Sequence, residues 1–450
     1  MSAARRFKHF IFLIRRHHFL NYLVLNVYHL VWWLILPLIL LRLLILSFKN
    51  PAYRQNISQR LGDYSSFKTL ASALKNGSWC LHGVSVGENI AAASLVNLWL
   101  QQPNRPPVVI SCMTPTGLAQ IKRLYVDKVV AVYLPYDIPR LLKSFFKFFK
   151  PRLMVIMETE LWPSLIAEAS KRRVPLFLVN GRLSERSFVK YSYIKLIMQN
   201  WLNCFKLIMV QSHLDYDKFS QLGVSKTRLI MAGNLKFDLT ITPSQQQQAS
   251  SLRSLWPQRK VWIAASLHTG EETMVLEAAK KLWQQYKKLL VVVVPRHLEN
   301  FQRMKTFFAT ALGKTRVCCY SELSQHSVSN LKVLIADVMG RLMPLYGASD
   351  VVLVGGSLIP HGGHNLLEPA AWQKPIISGV YLNNFIEIRD KLLKANGLTL
   401  VKNAEELADA VASFIDNEAL AKQQGLNAHK VVMENQGATV EVLNKLKPFM

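Results

Sequence analysis

The chain has 450 residues, half of them apolar, with 55 Lys and Arg against 28 Asp and Glu for a net charge of +27. That length predicts two or three domains with sizeable cores, and the charge predicts an anionic partner: nucleic acid, phospholipid or a phosphorylated substrate. The cysteines (Cys80, Cys112, Cys204, Cys318 and Cys319) form no C-x-x-C pair, which excludes a disulfide frame or zinc site and fits buried thiols in a reducing compartment.

The first segment is basic and apolar. No Asp or Glu precedes Asp63, whereas Arg5, Arg6, Lys8, Arg15, Arg16, Arg42, Lys49, Arg54 and Arg60 do. Between His17 and Leu41 roughly 25 residues lack any charged side chain, enough to cross a bilayer core of about 30 Å. Trp32 and Trp33 lie within this run, and Pro37 is expected to kink or interrupt a helix there. A cleaved signal peptide fits poorly, because the run is too long and no small-residue cleavage site follows. The basic N-terminus belongs in the cytoplasm, and the thiols place the globular part there too. An embedded, non-crossing anchor is therefore expected in preference to a single span.

From Ser78 onward, short apolar runs alternate with helical patterns. Strands are predicted at Trp79–Val84, Val108–Cys112, Val129–Leu134, Leu153–Met157, Leu176–Val179, Leu207–Val210 and Leu229–Met231. The polar stretch Thr242–Ser254, with Gln245-Gln246-Gln247-Gln248, reads as a linker or linker helix. The rhythm then restarts at Val261–Ala265, Leu289–Val294, Val333–Ile335, Val351–Val354 and Pro375–Ser378. Such βαβ units predict α/β architecture with two doubly wound domains: an anchor over 1–50, then domains over 51–241 and 242–450. A pair of this kind normally binds its ligand in the cleft between the sheets. No G-x-G-x-x-G, P-loop, H-E-x-x-H or G-x-S-x-G occurs, so dinucleotide, NTPase, zincin and serine-hydrolase readings lose their main support.

Seven stretches carry candidate chemistry. In His82-Gly83-Val84-Ser85-Val86-Gly87-Glu88 a strand breaks at a glycine and opens a helix with a carboxylate. Ser85-x-x-Glu88 has the spacing of a capping box, the commoner use, while a carboxylate at a parallel strand's exit also suits a general base. Glu158-Thr159-Glu160 follows another strand and either orients a hydroxyl and supports positive charge or loads a helix N-terminus. Lys236, between the domains, could meet a leaving phosphate. In the second half, Gly355-Gly356-Ser357 and Gly362-Gly363-His364-Asn365-Leu366-Leu367-Glu368 flank one strand–helix junction, where glycines let a ligand approach the backbone and freed N–H groups favour phosphate. Glu368 could accept from a ribose diol. Pro295-Arg296-His297 places a guanidinium at a strand end, suited to the same phosphate. Ser266-Leu267-His268-Thr269-Gly270-Glu271-Glu272 is a similar loop. Finally, Arg140, Lys143, Lys147 and Lys150 share one face of a helix with Phe145, Phe146, Phe148 and Phe149 on the rest, either a core helix with a solvated side or a membrane-surface and acidic-lipid contact.

Together these segments resemble the Kdo (3-deoxy-D-manno-octulosonic acid) transferases of lipopolysaccharide assembly. The matching pieces are His82–Glu88, Thr114–Gly117, Tyr133–Asp137, Glu158–Pro163, Arg182–Ser187, Asn234–Asp238, Pro295–His297 and Gly355–Pro369, in the family's order, with Arg60-Leu61-Gly62 after the anchor. The resemblance implies a GT-B fold of two Rossmann-like domains at the cytoplasmic face of the bacterial inner membrane. It implies inverting transfer of Kdo from CMP-Kdo to lipid IV(A), with no metal, no cofactor and no nucleic-acid partner. Carried over by position, Glu88 is the general base, which then becomes the better reading of that residue. Pro295, Arg296, Asn365 and Glu368, with backbone around Met339, Gly340 and Arg341, bind CMP, while Lys236 and one of Glu158 or Glu160 support the transition state. Ser266, His297, Gly355, Gly356, Leu366 and Leu367 complete the donor set, and inner-membrane phospholipid is a further partner. Gly83, Leu267 and Arg341 depart from the family's usual residues, and Arg341 changes the charge beside the expected cytidine site. The competing readings are another GT-B transferase using a UDP-sugar on a membrane lipid, and a basic membrane adaptor without activity.

Overall fold

The computed structural model describes the backbone of residues 3–325 and 330–450 and, within these, the side chains other than those of 3–23, 298, 324 and 325. Arg5, Arg6, Lys8, Arg15 and Arg16 therefore lie outside the described side chains. The chain divides into two compact units, Met1–Leu235 with Gln436–Met450, and Lys236–Asn435.

The first unit is built on seven parallel strands: β1 (Ser78–His82), β2 (Val108–Cys112), β3 (Val130–Tyr133), β4 (Pro151–Met157), β5 (Leu176–Gly181), β6 (Phe205–Val210) and β7 (Leu229–Met231), in the order β3-β2-β1-β4-β5-β6-β7. All seven expected strands form. Their near-continuous apolar runs suit a parallel sheet covered on both faces. One face is closed by Leu142, Phe145, Phe149, Leu165 and Phe219, the other by Leu95, Trp99, Leu118 and Ile121. The C-terminal helix Ala438–Leu446 joins this second face through Val442, Leu443 and Leu446.

The second unit repeats the design with β8 (Val261–Leu267), β9 (Leu290–Pro295), β10 (Val317–Cys319), β11 (Val333–Ile335), β12 (Val351–Val354), β13 (Ile376–Gly379) and β14 (Thr399–Val401), ordered β10-β11-β9-β8-β12-β13-β14. The five expected strands are present. β10 and β14 were not expected, since each is a three-residue edge strand too short to leave a periodic signal. The glutamine-rich stretch is the helix Pro243–Ser254, closed by a Thr242–Gln245 capping box. It buries Ala249 and Leu252 and joins Arg253 to Asp350 at 3.0 Å, so it packs as part of this unit. The contact boundary falls at Leu235, six residues before the expected 241.

Both sheets reverse their strand order beside the first strand, between β1 and β4 and between β8 and β12. Open parallel sheets bind ligands at the carboxyl ends of strands flanking such a point. Glu88, Glu158 and Glu160 follow β1 and β4, Ser266 lies at the end of β8, and the Gly355–Glu368 stretch follows β12.

The N-terminal helix Ala3–Lys49 runs through Pro37 without the expected interruption. Its Val24–Lys49 portion is long and apolar enough to cross a membrane. One stripe, with Trp32, Leu36, Ile39 and Leu40, packs on Met113, Tyr136, Ile138 and Leu141 of the first unit. The opposite stripe, including Leu30, Leu34, Leu38, Leu41 and Ile45, is exposed.

Candidate active site

At the exit of β1, Ser85 takes extended dihedrals and starts the helix Val86–Ala91. The capping box forms in full. Ser85 Oγ accepts from the Glu88 N–H at 3.3 Å and donates to Glu88 Oε1 at 2.8 Å, while the Ser85 and Val84 N–H groups donate to the two carboxylate oxygens at 3.3 and 2.8 Å. Cap and candidate base are thus one residue. Glu88 is also buried, and burial pushes its carboxyl up to about 7, with the Ser85 hydroxyl opposing the rise and Glu160 and then Glu158 adding to it. A helix N-terminus by itself favours the ionised carboxylate. Desolvation and two neighbouring carboxylates outweigh that short helix.

β4 ends beside β1 and delivers the two neighbours. Glu158 has φ of +52°, a left-handed backbone that turns the loop sharply after Met157. Glu160 Oε2 accepts from Trp162 Nε1–H at 2.8 Å, and the Trp162 ring meets the fully buried His82 edge-on at 5.3 Å. Burial raises the Glu160 carboxyl as well, partly offset by the Trp162 bond, with Glu158 adding to the rise. His82 is pushed down to about 4 by burial, so it is a neutral ring bonded through Nδ1 to Ser111 Oγ at 2.9 Å. Glu88, Glu158 and Glu160 therefore share one edge, and Glu160 acts on Glu88 more strongly than Glu158 does.

In the second unit the expected loops converge at the ends of β8, β9 and β12. Ser266, at φ +57°, lies within a register shift that ends β8, and the Arg296 N–H donates to Leu267 O at 2.9 Å, tying the β8 and β9 exits together. Gly355 and Gly356 follow β12. A Cβ at Gly355 would lie 2.9 Å from Ala265 O, and one at Gly356, where φ is +68°, would lie 2.8 Å from the His364 ring. Glycine is required at both. Asn365 Nδ2–H donates to Glu368 Oε1 at 3.3 Å, and burial raises Glu368 while Asn365 and Arg296 oppose the rise. Leu366 and Leu367 are core residues that fix this turn. The helix expected after Gly363 begins only at Leu367 and runs five residues. Its dipole is correspondingly small, so loop amides must carry most of any anion binding here.

Two features of this edge were not read from sequence. Glu271, fully buried, accepts four backbone N–H groups: His268 and Gly356 at 2.8 Å, Ser357 at 3.0 Å and Leu358 at 2.9 Å. It pins the β8 and β12 loops to each other. The signal available was an acidic residue opening a helix after a strand-end glycine. The second feature is a group of imidazoles. The His268 ring stacks on His361 at 4.2 Å and His364 at 5.1 Å, meets His297 edge-on at 5.7 Å, and its Nε2 lies 2.9 Å from His364 Nε2. Burial, then the neighbouring histidines and Arg296, push His268 down to about 4, and burial, then Arg296 and the neighbouring histidines, push His364 to about 3. Among the described residues, no group of three or more His, Cys, Asp and Glu is placed to hold a metal ion.

The remaining candidates are carried by other segments. Met339 is exposed and Gly340 has φ of +77° in the turn after β11, while Arg341 Nη1–H donates to Gln248 Oε1 at 2.7 Å. Its charge is thereby tied to the helix Pro243–Ser254. Lys236 is half-buried in the turn where the first unit passes into the second. On the helix Pro139–Phe149, Leu142, Phe145, Phe146 and Phe149 are buried, whereas Arg140, Lys143, Lys147 and the following Lys150 are exposed. The aromatic face belongs to the core, and the basic side is the free surface.

The family described as 3-deoxy-D-manno-octulosonic-acid transferase (kdotransferase) matches residues 55–239. A 3-deoxy-D-manno-octulosonic acid transferase of Haemophilus influenzae is 37% identical over 416 residues, covering 92% of this chain and 96% of its own. The chain belongs to the Kdo transferase family. A second relative of the same description, from Rickettsia felis, is 30% identical over 86% of this chain and 82% of its own. The fold is of GT-B type: a crystal structure of UDP-GlcNAc 2-epimerase from Neisseria meningitidis bound to UDP-GlcNAc aligns over 83% of this chain and all of its own, with a TM-score of 0.56 at 14% identity. The chain is thus a glycosyltransferase that moves Kdo in lipopolysaccharide biosynthesis.

Proposed function

We propose that this Kdo transferase takes its sugar from CMP-Kdo and places it on lipid IV(A) with inversion and without a metal ion. The observation that carries the reading is Glu88, buried at the exit of β1 beside Glu160 with its carboxyl near 7. A base poised near the working pH is the most effective kind. Glu88 takes the proton of the acceptor hydroxyl as that oxygen bonds to the anomeric carbon. The bond from that carbon to the phosphate oxygen breaks, and CMP leaves with the electron pair. Glu160, supported by Glu158, stabilises the oxocarbenium-like charge. Arg296 and Lys236 meet the departing phosphate, with amides of the Gly355–Gly356 and Gly362–Gly363 loops. Asn365 and Glu368 hold the nucleoside, with Pro295, Ser266, His297 and the Met339–Arg341 turn around it.

The acceptor is a lipid, and the reading places the enzyme on the cytoplasmic face of the inner membrane. Its support is the N-terminal helix, which packs one stripe on protein and leaves the other apolar. That is the design of a helix lying in the interface, with the basic side of Pro139–Phe149 facing anionic phospholipid. The deciding experiment is mass spectrometry of lipid IV(A) incubated with CMP-Kdo and the purified protein. A product heavier by Kdo is expected, lost with Glu88→Gln; undiminished product from that variant sinks the base assignment.

A further inference from the structure

Two consecutive residues of the N-terminal helix end on one buried polar cluster. Tyr28 Oη–H donates to Asp137 Oδ2 at 2.9 Å, and His29 Nε2 lies 3.0 Å from Ser164 Oγ. Asp137 is fully buried, and its carboxylate also accepts the N–H of Ser164 at 2.9 Å and of Leu165 at 2.8 Å. Ser164 Oγ–H donates in turn to the Asp137 carbonyl at 2.8 Å. Those N–H groups belong to the first turn of the helix Pro163–Lys171, whose own Trp162 provides no side-chain cap. First-turn N–H groups have no partner within their helix, so a remote aspartate caps this one. Trp32, one turn along from Tyr28, packs on Tyr136 at 5.7 Å and secures the flank of Asp137.

The capped helix follows directly from the carboxylate loop. Trp162 stands immediately before Pro163 and holds Glu160 by its indole N–H. A continuous run of contacts therefore leads from Tyr28 and His29 through Asp137 and Ser164 to Trp162, Glu160 and the surroundings of Glu88. The same N-terminal helix exposes Leu30, Leu34, Leu38 and Leu41 on its outer side.

We propose that Tyr28, His29, Asp137 and Ser164 form a latch through which seating of the apolar N-terminal helix positions the Glu158–Trp162 loop for transfer. Asp137 is a positioning residue, and the latch makes full activity depend on the helix being docked. The physical reason is that undocking leaves a buried carboxylate with an unfilled acceptor position and loosens the turn it caps. The catalytic consequence rests on Glu88 and Glu160 acting as proposed, whereas the structural consequence does not.

The test uses the full chain in phospholipid nanodiscs with Tyr28→Phe plus His29→Ala, and separately Asp137→Asn. Amide hydrogen exchange over residues 158–165 is expected to quicken by about tenfold, the effect of losing a hydrogen bond to a charged acceptor, while β5 stays protected. The kcat should fall several-fold at unchanged KM for CMP-Kdo. The acid limb of the pH profile should move down as Glu160, which with Glu158 raises Glu88, draws away. Unchanged exchange at 158–165 overturns the latch, as does a uniform rise across the first unit, which would mean general destabilisation. Should Asp137→Asn fail to fold, the helix-side pair still decides. A Glu88→Gln control that retains transfer would refute the base assignment alone, leaving the exchange data to judge the latch.

Discussion

At the scale of single residues, Glu88 shows how a cap becomes a base without ceasing to be a cap. Its oxygens are held by the Ser85 hydroxyl and two backbone N–H groups, yet burial with Glu160 and Glu158 keeps its carboxyl near 7. A base acts ionised, so kcat/KM for the acceptor should rise with pH through about 7 and level off above it. Glu88→Gln should abolish that limb and cost on the order of a hundredfold or more in rate. Ser85→Ala should move the limb to higher pH, because the Ser85 hydroxyl opposes the rise more than the Val84 N–H does, and should cost about 1 kcal/mol of stability through the lost cap. The sign for stability is opposite to that for activity. A carboxyl raised from 4.5 to about 7 binds its proton more tightly folded than unfolded, so its contribution is lost as pH climbs through that window. Urea unfolding from pH 4.5 to 8 should show that loss flattened in Glu88→Gln. The Ser85-x-x-Glu88 spacing was legible in the sequence. The burial and the two acidic neighbours were not, because they come from β4, which only sheet pairing brings beside β1.

At the scale of elements, the donor-side loops owe their shape to Glu271. A side chain that opens the helix Glu271–Gln285 reaches across to the amides after β12 and fixes where the glycines lie. Glu271→Ala strips four buried N–H groups of their acceptor at about 1–3 kcal/mol each, less whatever water recovers. Calorimetry should show a lower Tm and weaker CMP binding; Glu271→Gln, which keeps one carbonyl acceptor, should fall between. A variant with parental CMP affinity would show that this clamp does not set the donor loops. The glycine pairs and Pro295-Arg296-His297 could be read as strand-end loops from sequence. Their tie to Glu271, and the stacking of His268 on His361 and His364, could not, since the partners follow different strands.

At the scale of the whole molecule, charge and apolar surface are divided between two helices. Arg140, Lys143 and Lys147 project from a helix whose aromatic side is core, and the N-terminal helix leaves an apolar stripe uncovered. Neutralisation of Lys143 and Lys147 to Gln should weaken binding to anionic vesicles by about 1 kcal/mol per Lys, an effect that fades at high salt. Leu34→Ser with Leu38→Ser and Leu41→Ser should weaken vesicle binding at any salt, by lost apolar burial. Co-sedimentation distinguishes the two, and equal salt dependence for both sets would contradict the division.

By itself the sequence determined the alternation of strands and helices, the basic apolar N-terminus, the strand-end loops and the family, since each depends on local periodicity, composition or motif order. Pro37, the terminal helix and the glutamine-rich stretch were decided elsewhere, by packing that local signals do not contain. Only the tertiary structure set Glu88 beside Glu160, tied Arg341 to Gln248, hid Glu271 under four amides and latched Tyr28 to Asp137. Each of these joins groups far apart in the chain, and the energy of burial or of a hydrogen bond exists only once both partners are in place.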